Sequence, residues 1–276
     1  MEPELIRDVF DWDYFFEHHF RKRPLFVPGG AETILSKRWS TDDFNNLRSR
    51  VLEAGESLSE REGVVTFIET ASRFDDFLSD QARDMAAVFG APGAWFDVIK
   101  TYKADGGGIG SHFDHSDNFV LQQEGTKVWR LGPADSVEPG LRSRRMLNEP
   151  GVGSHPLPSS GTVEFVVSAG DLLYIPLMWV HDGTSSNDSL SISLVVPAVS
   201  AFAAVIPLLS RVLKSQIVGG DVLPALHHFQ TEEQLDVARD EVRMSTTALL
   251  ASCSDPAVAH AIRELQALRL PGLLSG

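Results

Sequence analysis

The chain has 276 residues, 43% of them hydrophobic and 22% charged, enough for one large domain or a domain with an appendage. Its formal net charge of −14 repels phosphate backbones, so nucleic-acid binding is not expected. A single cysteine, Cys253, forbids an intrachain disulfide and a thiolate zinc cluster. With an acidic N-terminus lacking a signal-peptide pattern, this points to the cytoplasm.

From the N-terminus, residues 2–20 read as a helix, because Leu5, Val9, Phe10, Phe16 and Phe20 recur near helical spacing. Arg21 to Val27 reads as a basic turn and a short extended segment, broken by Pro28-Gly29-Gly30. Residues 41–90 look mostly helical around a strand at Gly63 to Ile68. From Trp95 to Val196, short β-branched and aromatic runs alternate with Gly, Pro, Asp and Ser breaks. Strands are predicted at 95–102, 118–122, 127–131, 163–167, 171–175 and 189–196, the set of a sandwich or jelly roll. In the last of these, Leu190, Ile192 and Leu194 alternate with serine, which suits a sheet with one buried face. The long stretch Gly132 to Gly161 reads as a lid or bounding loop, with Arg142, Arg144 and Arg145 as candidate anion contacts or solvent-facing charges.

Residues 200–276 return to a helical pattern. Thr231 to Gln234 has a capping-box signature, and Asp255-Pro256 resembles a helix start. The stripe Val258, Ile262, Leu265 and Leu268 reads as core packing or as a dimer seam. The longest apolar stretch, Leu194 to Leu209, is interrupted by Pro197 and Pro207 and is too short to cross a bilayer, so no membrane association is expected.

Chemistry concentrates in Gly106 to Asp114, GGGIGSHFD, where His112-Phe113-Asp114 forms a His-x-Asp pair expected to open a strand. Residues two apart on a strand share a face, so imidazole and carboxylate converge. His181, beyond the strand-like run 170–176, is the strongest candidate for a third ligand. Two histidines and a carboxylate form the facial triad of non-haem Fe(II) oxygenases, with positions left open for a 2-oxo acid and O2. Lys127, fifteen residues after His112, is placed to pair with the distal carboxylate of 2-oxoglutarate, helped by Asn118 and Tyr102. A lone strand lysine facing water is the plainer alternative. Candidate substrate contacts near the triad are His115, Ser116, Asp117, Met178, Trp179 and Asp182, each also readable as an ordinary loop residue. His155, His227, His228 and His260 read as surface or turn residues, as His115 also can, and His18 and His19 sit on the first helix, where at most one faces any given site.

The conjunction of a Gly-rich approach, His-x-Asp, a lysine at that offset and GDLLYIP leading to His181 resembles the JmjC-type cupin 2-oxoglutarate oxygenases. It is most similar to the bacterial ribosomal oxygenase (cupin-4) family, over Asp97 to Pro197 and the segment FFEHHFRKRPLFVPG. The resemblance implies a mainly β fold with flanking helices, a double-stranded β-helix (jelly roll) core and a C-terminal helical region. It implies a catalytic domain over 1–199 and a helical, dimerising region over 200–276, giving a homodimer. His112, Asp114 and His181 take the family's metal positions, Lys127 its 2-oxoglutarate carboxylate position, and Asn118 a cosubstrate-pocket position. Two departures stand out. Lysine replaces the arginine common in the bacterial enzymes, and residues 200–276 leave no room for their winged helix.

The expected activity is therefore that of an Fe(II)/2-oxoglutarate-dependent dioxygenase. It would use O2 to hydroxylate an unactivated C–H, in an amino-acid side chain of a protein or peptide. The same chemistry on a free amino acid or a specialised metabolite is the first alternative. A non-catalytic cupin sensor or scaffold is the second.

Overall fold

The computed structural model describes residues 10–91, 93–102, 107–185 and 187–198, together with 205, 236, 240, 243, 244, 246, 247, 250, 251 and 253–260. The chain divides into two compact units, Met1–Ala198 and Val199–Gly276.

In the first unit, Asp11 caps α1 (Trp12–His18) by accepting from the amide of Tyr14 at 3.0 Å. The predicted start of this helix at residue 2 lies outside the described residues. Arg21, at φ 57°, turns the chain into β1 (Leu25–Val27). Ser40 and Asp43 form a reciprocal capping box at α2 (Thr41–Glu53). A hairpin of β2 (Ser59–Arg61) and β3 (Val65–Ile68) follows. Next comes α3 (Asp76–Phe89), capped by Asp75 and ended by Gly90 at φ 60°.

The barrel strands are β4 (Trp95–Thr101), β5 (Ser116–Glu124) and β6 (Thr126–Gly132), then, after α4 (Pro139–Met146), β7 (Val163–Ser168), β8 (Leu172–Ile175), β9 (Val180–Ser185) and β10 (Ser189–Pro197). They form a seven-stranded antiparallel sheet, ordered β1-β8-β5-β10-β4-β3-β2, and a three-stranded sheet, β7-β6-β9. This is the expected jelly-roll core with flanking helices.

One face of the large sheet meets the helices. Phe96, Val98, Phe119, Leu121, Tyr174, Leu190, Ile192 and Leu194 pack there with Phe15, Phe44, Leu47 and Leu78. Each such side chain removed from water contributes roughly 1.5–3 kcal/mol. Between the sheets, Val120, Leu173 and Ile175 meet Trp129, Leu131, Phe165 and Val167. The expectation of one buried face on β10 therefore needs correction. Its serine face is buried too, because Ser189, Ser191 and Ser193 line the barrel interior. There Ser191 donates to Gln122 Oε1 at 2.8 Å.

Two elements depart from the sequence reading. The predicted 132–161 loop contains α4, begun by Pro139 and capped by Glu138. The segment VHDGTS, read as following a strand, is itself β9; its Asp and Gly hide the alternation.

In the second unit, residues 255–260 are helical, with the amide of Val258 bonded to the carbonyl of Ser254. Arg243 pairs with Asp240 at 2.9 Å. The Thr231–Gln234 capping box and most of the 258–268 stripe lie outside the described residues, and so does any seam built from them.

Candidate metal centre

His112 does not open a strand as expected; it forms an isolated antiparallel bridge with His181 ahead of β5. The His112 amide donates to the His181 carbonyl at 3.0 Å and the reverse bond spans 2.7 Å. Each ring is oriented by its own local backbone. His112 Nδ1 lies 2.8 Å from the Gly110 carbonyl, and His181 Nδ1 lies 2.9 Å from the Trp179 carbonyl. A carbonyl only accepts, so Nδ1 carries the proton in both and each Nε2 presents a lone pair.

Those two Nε2 atoms face Asp114 Oδ2 at 3.7 and 3.6 Å. The three ligand atoms all lie within 4.8 Å of one another. Burial raises the Asp114 pKa, but His181, His112 and Arg145 together outweigh it and hold the carboxyl below its usual range. Burial, then repulsion from His112, pushes His181 down to about 4, so its imidazole is neutral at neutral pH.

Asp114 is held on every side. Asn118 Nδ2 donates to Oδ2 at 3.0 Å and Arg145 donates to Oδ1 at 2.9 Å. Its backbone carbonyl accepts from Met178, a non-glycine residue at φ 64°. Left-handed strain at a bulky residue persists where surrounding structure fixes it, commonly at functional sites.

Behind the triad, the small sheet places a line of residues on its inner face. Register pairs Leu131 with His181, Trp129 with Gly183 and Lys127 with Ser185. Trp129 lies over Gly183, where a Cβ would come within 2.8 Å of the indole. Lys127 is 1% exposed, and among the described residues no anion pairs with it. Its Nζ is 5.8 Å from the Trp129 ring centroid, and burial pushes its pKa down to about 7. Thr101 Oγ1, Ser189 Oγ and Trp129 Nε1 are buried nearby on inward-facing positions without a hydrogen-bond partner. A buried cation and orphaned donors are the surroundings that a carboxylate-bearing ligand satisfies.

The other candidates are distributed as follows. Tyr102 falls on the opposite parity from inward-facing Thr101. It is 37% exposed, and its hydroxyl meets Thr66 Oγ1 at 3.3 Å, so alternation takes it away from Lys127. Asp117 is buried on the helix side of β5. It accepts from Tyr174 at 2.7 Å and from Arg21 at 3.0 Å, so it clasps the N-terminal segment rather than entering the cleft. Asp182 pairs with Arg130 at 3.0 Å on the outer face. Trp179 contributes its carbonyl to His181, while its side chain packs against the apolar cluster between the sheets. His115 and Met178 flank Asp114. The buried Ser116 hydroxyl lies 3.4 Å from Asn118 Oδ1.

Two polar residues escaped the sequence reading as members of this site. Asp97 faces inward from β4, opposite Ser193, and accepts from the amide of Thr70 at 2.7 Å. Burial, with repulsion from Glu69 and Asp114, raises its pKa to about 8. Arg145, by sequence one of three loop arginines, reaches Asp114, whereas Arg144 pairs with Glu149 at 2.7 Å. The Ser-Leu alternation of β10 was the available signal for a polar interior. Nothing local marked Arg145.

A family profile for the JmjC domain matches residues 68–202. Over that segment, just under half of its length, the chain is similar to the JmjC domain. It is similar to the ribosomal protein uL16 3-hydroxylase of Escherichia coli K12, 21% identical over 241 residues, covering 79% of this chain and 62% of that protein. It is also similar to a probable ribosomal oxygenase of Haemophilus influenzae, 29% identical over 100 residues, covering 35% of this chain and 23% of that one. The chain thus spans less than two thirds of the length of either curated relative. Among solved structures, it shares its fold with YcfD, a ribosomal oxygenase from Escherichia coli in complex with cobalt and 2-oxoglutarate. The TM-score is 0.55 at 17% identity, covering 94% of this chain and 71% of that one.

Proposed function

We propose that this protein is a JmjC-type Fe(II)- and 2-oxoglutarate-dependent dioxygenase that hydroxylates an unactivated C–H of an amino-acid side chain in a protein or peptide. The observation that carries this reading is the convergence of His112 Nε2, Asp114 Oδ2 and His181 Nε2 within 4.8 Å at one end of the barrel. Support for the cosubstrate comes from buried Lys127 and the orphaned polar atoms around it, and from the cobalt and 2-oxoglutarate found in the Escherichia coli structure. Support for a protein substrate comes from the relatives named as acting on a ribosomal protein.

Bound iron with 2-oxoglutarate supplies the oxidation of the C–H bond by O2, a chemistry beyond amino-acid side chains. The chain supplies orientation. The Gly110 and Trp179 carbonyls keep both Nε2 lone pairs aimed inward, and Asn118 and Arg145 fix the plane of the Asp114 carboxylate. Lys127 offers the charge for the distal carboxylate of 2-oxoglutarate, with Thr101 and Ser189 as hydroxyl partners and Tyr102 no longer among them. The packed interior around Trp129 and Leu131 keeps water away from the reacting atoms. His115 and Met178 remain the proposed substrate contacts.

A cytoplasmic setting is proposed from the cysteine usage; among the described residues no helix is long and apolar enough to cross a membrane. A homodimer through residues 200–276 is proposed from their apolar stripe and the family resemblance, and a concentration-independent monomer in sedimentation would overturn it.

The deciding experiment adds Fe(II), then 2-oxoglutarate, to metal-free protein without oxygen. A weak visible charge-transfer band that disappears in Asp114→Ala and Lys127→Ala is expected. No band from folded wild-type protein removes the proposal. Mass spectrometry with peptide and amino-acid panels then identifies the substrate class, by the gain of one oxygen.

A further inference from the structure

The insertion between β6 and β7 is fastened to the ligand segment. The Phe113 amide donates to the Gly153 carbonyl at 2.9 Å, and the His155 amide to the Ser111 carbonyl at 3.2 Å. From α4 in the same insertion, Arg145 donates to the Val152 carbonyl at 3.1 Å and to Asp114 Oδ1 at 2.9 Å. Its guanidinium lies over Gly153, where a Cβ would sit 3.4–3.6 Å from three of its atoms. The guanidinium is thus seated from three directions, and its side chain is only 22% exposed.

The two oxygens of Asp114 consequently have different partners. Oδ2 faces both histidine Nε2 atoms and accepts from the neutral Asn118 amide, while Oδ1 is held by the Arg145 cation. A carboxylate that binds a cation through both oxygens fills two positions around it. We infer that Arg145 is a positioning residue that keeps Asp114 a one-oxygen ligand and so preserves a coordination position for 2-oxoglutarate. This rests on the oxygenase reading above. For Oδ1 to join the metal as well, the carboxylate must turn against its Arg145 contact, which distorts a charge-assisted hydrogen bond, among the strongest available to a carboxylate.

The test titrates metal-free full-length protein with Co(II), then with 2-oxoglutarate, following visible absorbance, for wild type, Arg145→Met and Arg145→Lys. Arg145→Met is expected to keep its Co(II) affinity, to show an altered Co(II) spectrum, and to bind 2-oxoglutarate about tenfold more weakly, the scale on which groups behind metal ligands act. Arg145→Lys, which can still donate to Oδ1, is expected to recover most of that loss. Wild-type 2-oxoglutarate affinity in Arg145→Met overturns the inference. So does equal loss of Co(II) and 2-oxoglutarate, or failure of lysine to rescue, either of which gives Arg145 a purely structural role. Should Arg145→Met not fold, a crystal structure of wild type with Co(II) decides. Coordination by Oδ2 alone, with Arg145 on Oδ1, is expected, and both oxygens on the metal overturn the inference. A wild-type spectrum that ignores 2-oxoglutarate defeats the oxygenase reading, and the Co(II) structure still reports how Asp114 binds.

Discussion

His112 and His181 are joined by two reciprocal backbone hydrogen bonds, of 3.0 and 2.7 Å, and their ring centroids stand 4.2 Å apart. The two imidazoles, distant in sequence, are therefore one rigid unit, set before any metal arrives. Preorganisation of this kind spares the site the cost of collecting its ligands on binding. Replacing His181 by alanine should abolish Co(II) binding at micromolar protein while leaving the far-ultraviolet circular dichroism unchanged, because the backbone bridge survives. A variant that still binds Co(II) as wild type does would place the metal elsewhere.

Lys127 carries a second prediction, through its pKa. Burial lowers it to about 7, so free Lys127 loses its charge as pH rises through neutrality. Binding of a carboxylate needs that charge, and above pH 7 the proton must be taken up on binding. The apparent affinity for 2-oxoglutarate should then fall up to about tenfold per pH unit between pH 7 and 9. Anaerobic titrations at pH 6, 7, 8 and 9 measure this, and a flat profile contradicts it.

The same burial opposes folding. Lys127 binds its proton less tightly folded than unfolded, so its unfavourable contribution is largest below pH 7 and relaxes as pH rises from 7 towards 10.5. Lys127→Met should raise stability at pH 6 by on the order of 1–4 kcal/mol, the range seen when buried charges give way to apolar groups. It should abolish 2-oxoglutarate binding at the same time. Urea unfolding of the metal-free protein measures the first effect; a destabilised Met variant would mean that Lys127 has an anionic partner in solution.

Asp97 has the opposite sign. Its pKa is raised by burial from 3.8 to about 8, so the folded chain holds the proton more tightly than the unfolded one. Its contribution is fully present below about pH 4 and is lost as pH rises to about 8, at up to about 1.4 kcal/mol per unit. Asp97→Asn keeps an acceptor for the Thr70 amide and removes the titration. Its urea midpoint should fall less between pH 5 and 8 than that of wild type, and parallel falls would refute the assignment.

Gly183 tests the packing behind the triad. Alanine there sets a methyl 2.8 Å from the Trp129 ring, which stands 6.1 Å from the ring of His181. Gly183→Ala should cost about 1–3 kcal/mol by overpacking and weaken Co(II) binding by displacing His181. Unchanged melting and Co(II) affinity would show that the indole has room to move.

The jelly-roll strands were legible because alternation is local. Six predicted strands appear with ends shifted by at most two residues, and Leu190, Ile192 and Leu194 mark the helix-facing side of β10 directly. β9 was not legible, because Asp182 and Gly183 stand where apolar residues would mark a strand. Gly183 is there to admit an indole from β6, a partner that no local pattern can reveal. Asp117 misled for a related reason. A carboxylate near a triad reads as a substrate contact until the parity of β5 turns it towards Tyr174 and Arg21.

The sequence by itself determined the kinds of ligand present, the His112-x-Asp114 spacing, the candidacy of His181 and Lys127, and the apolar periodicities that build two sheets and their helices. These are properties of neighbouring residues and need no knowledge of what lies across the core. Only the tertiary structure decided that His181 bridges to His112, that Lys127 is buried without an anion among the described residues, that Thr101 rather than Tyr102 faces inward, and that Arg145 grips Asp114. Each of these depends on strand register or on burial between distant segments. Such relations arise only when the chain closes on itself, because charge and hydrogen-bonding capacity take their energies from the surroundings that closure creates.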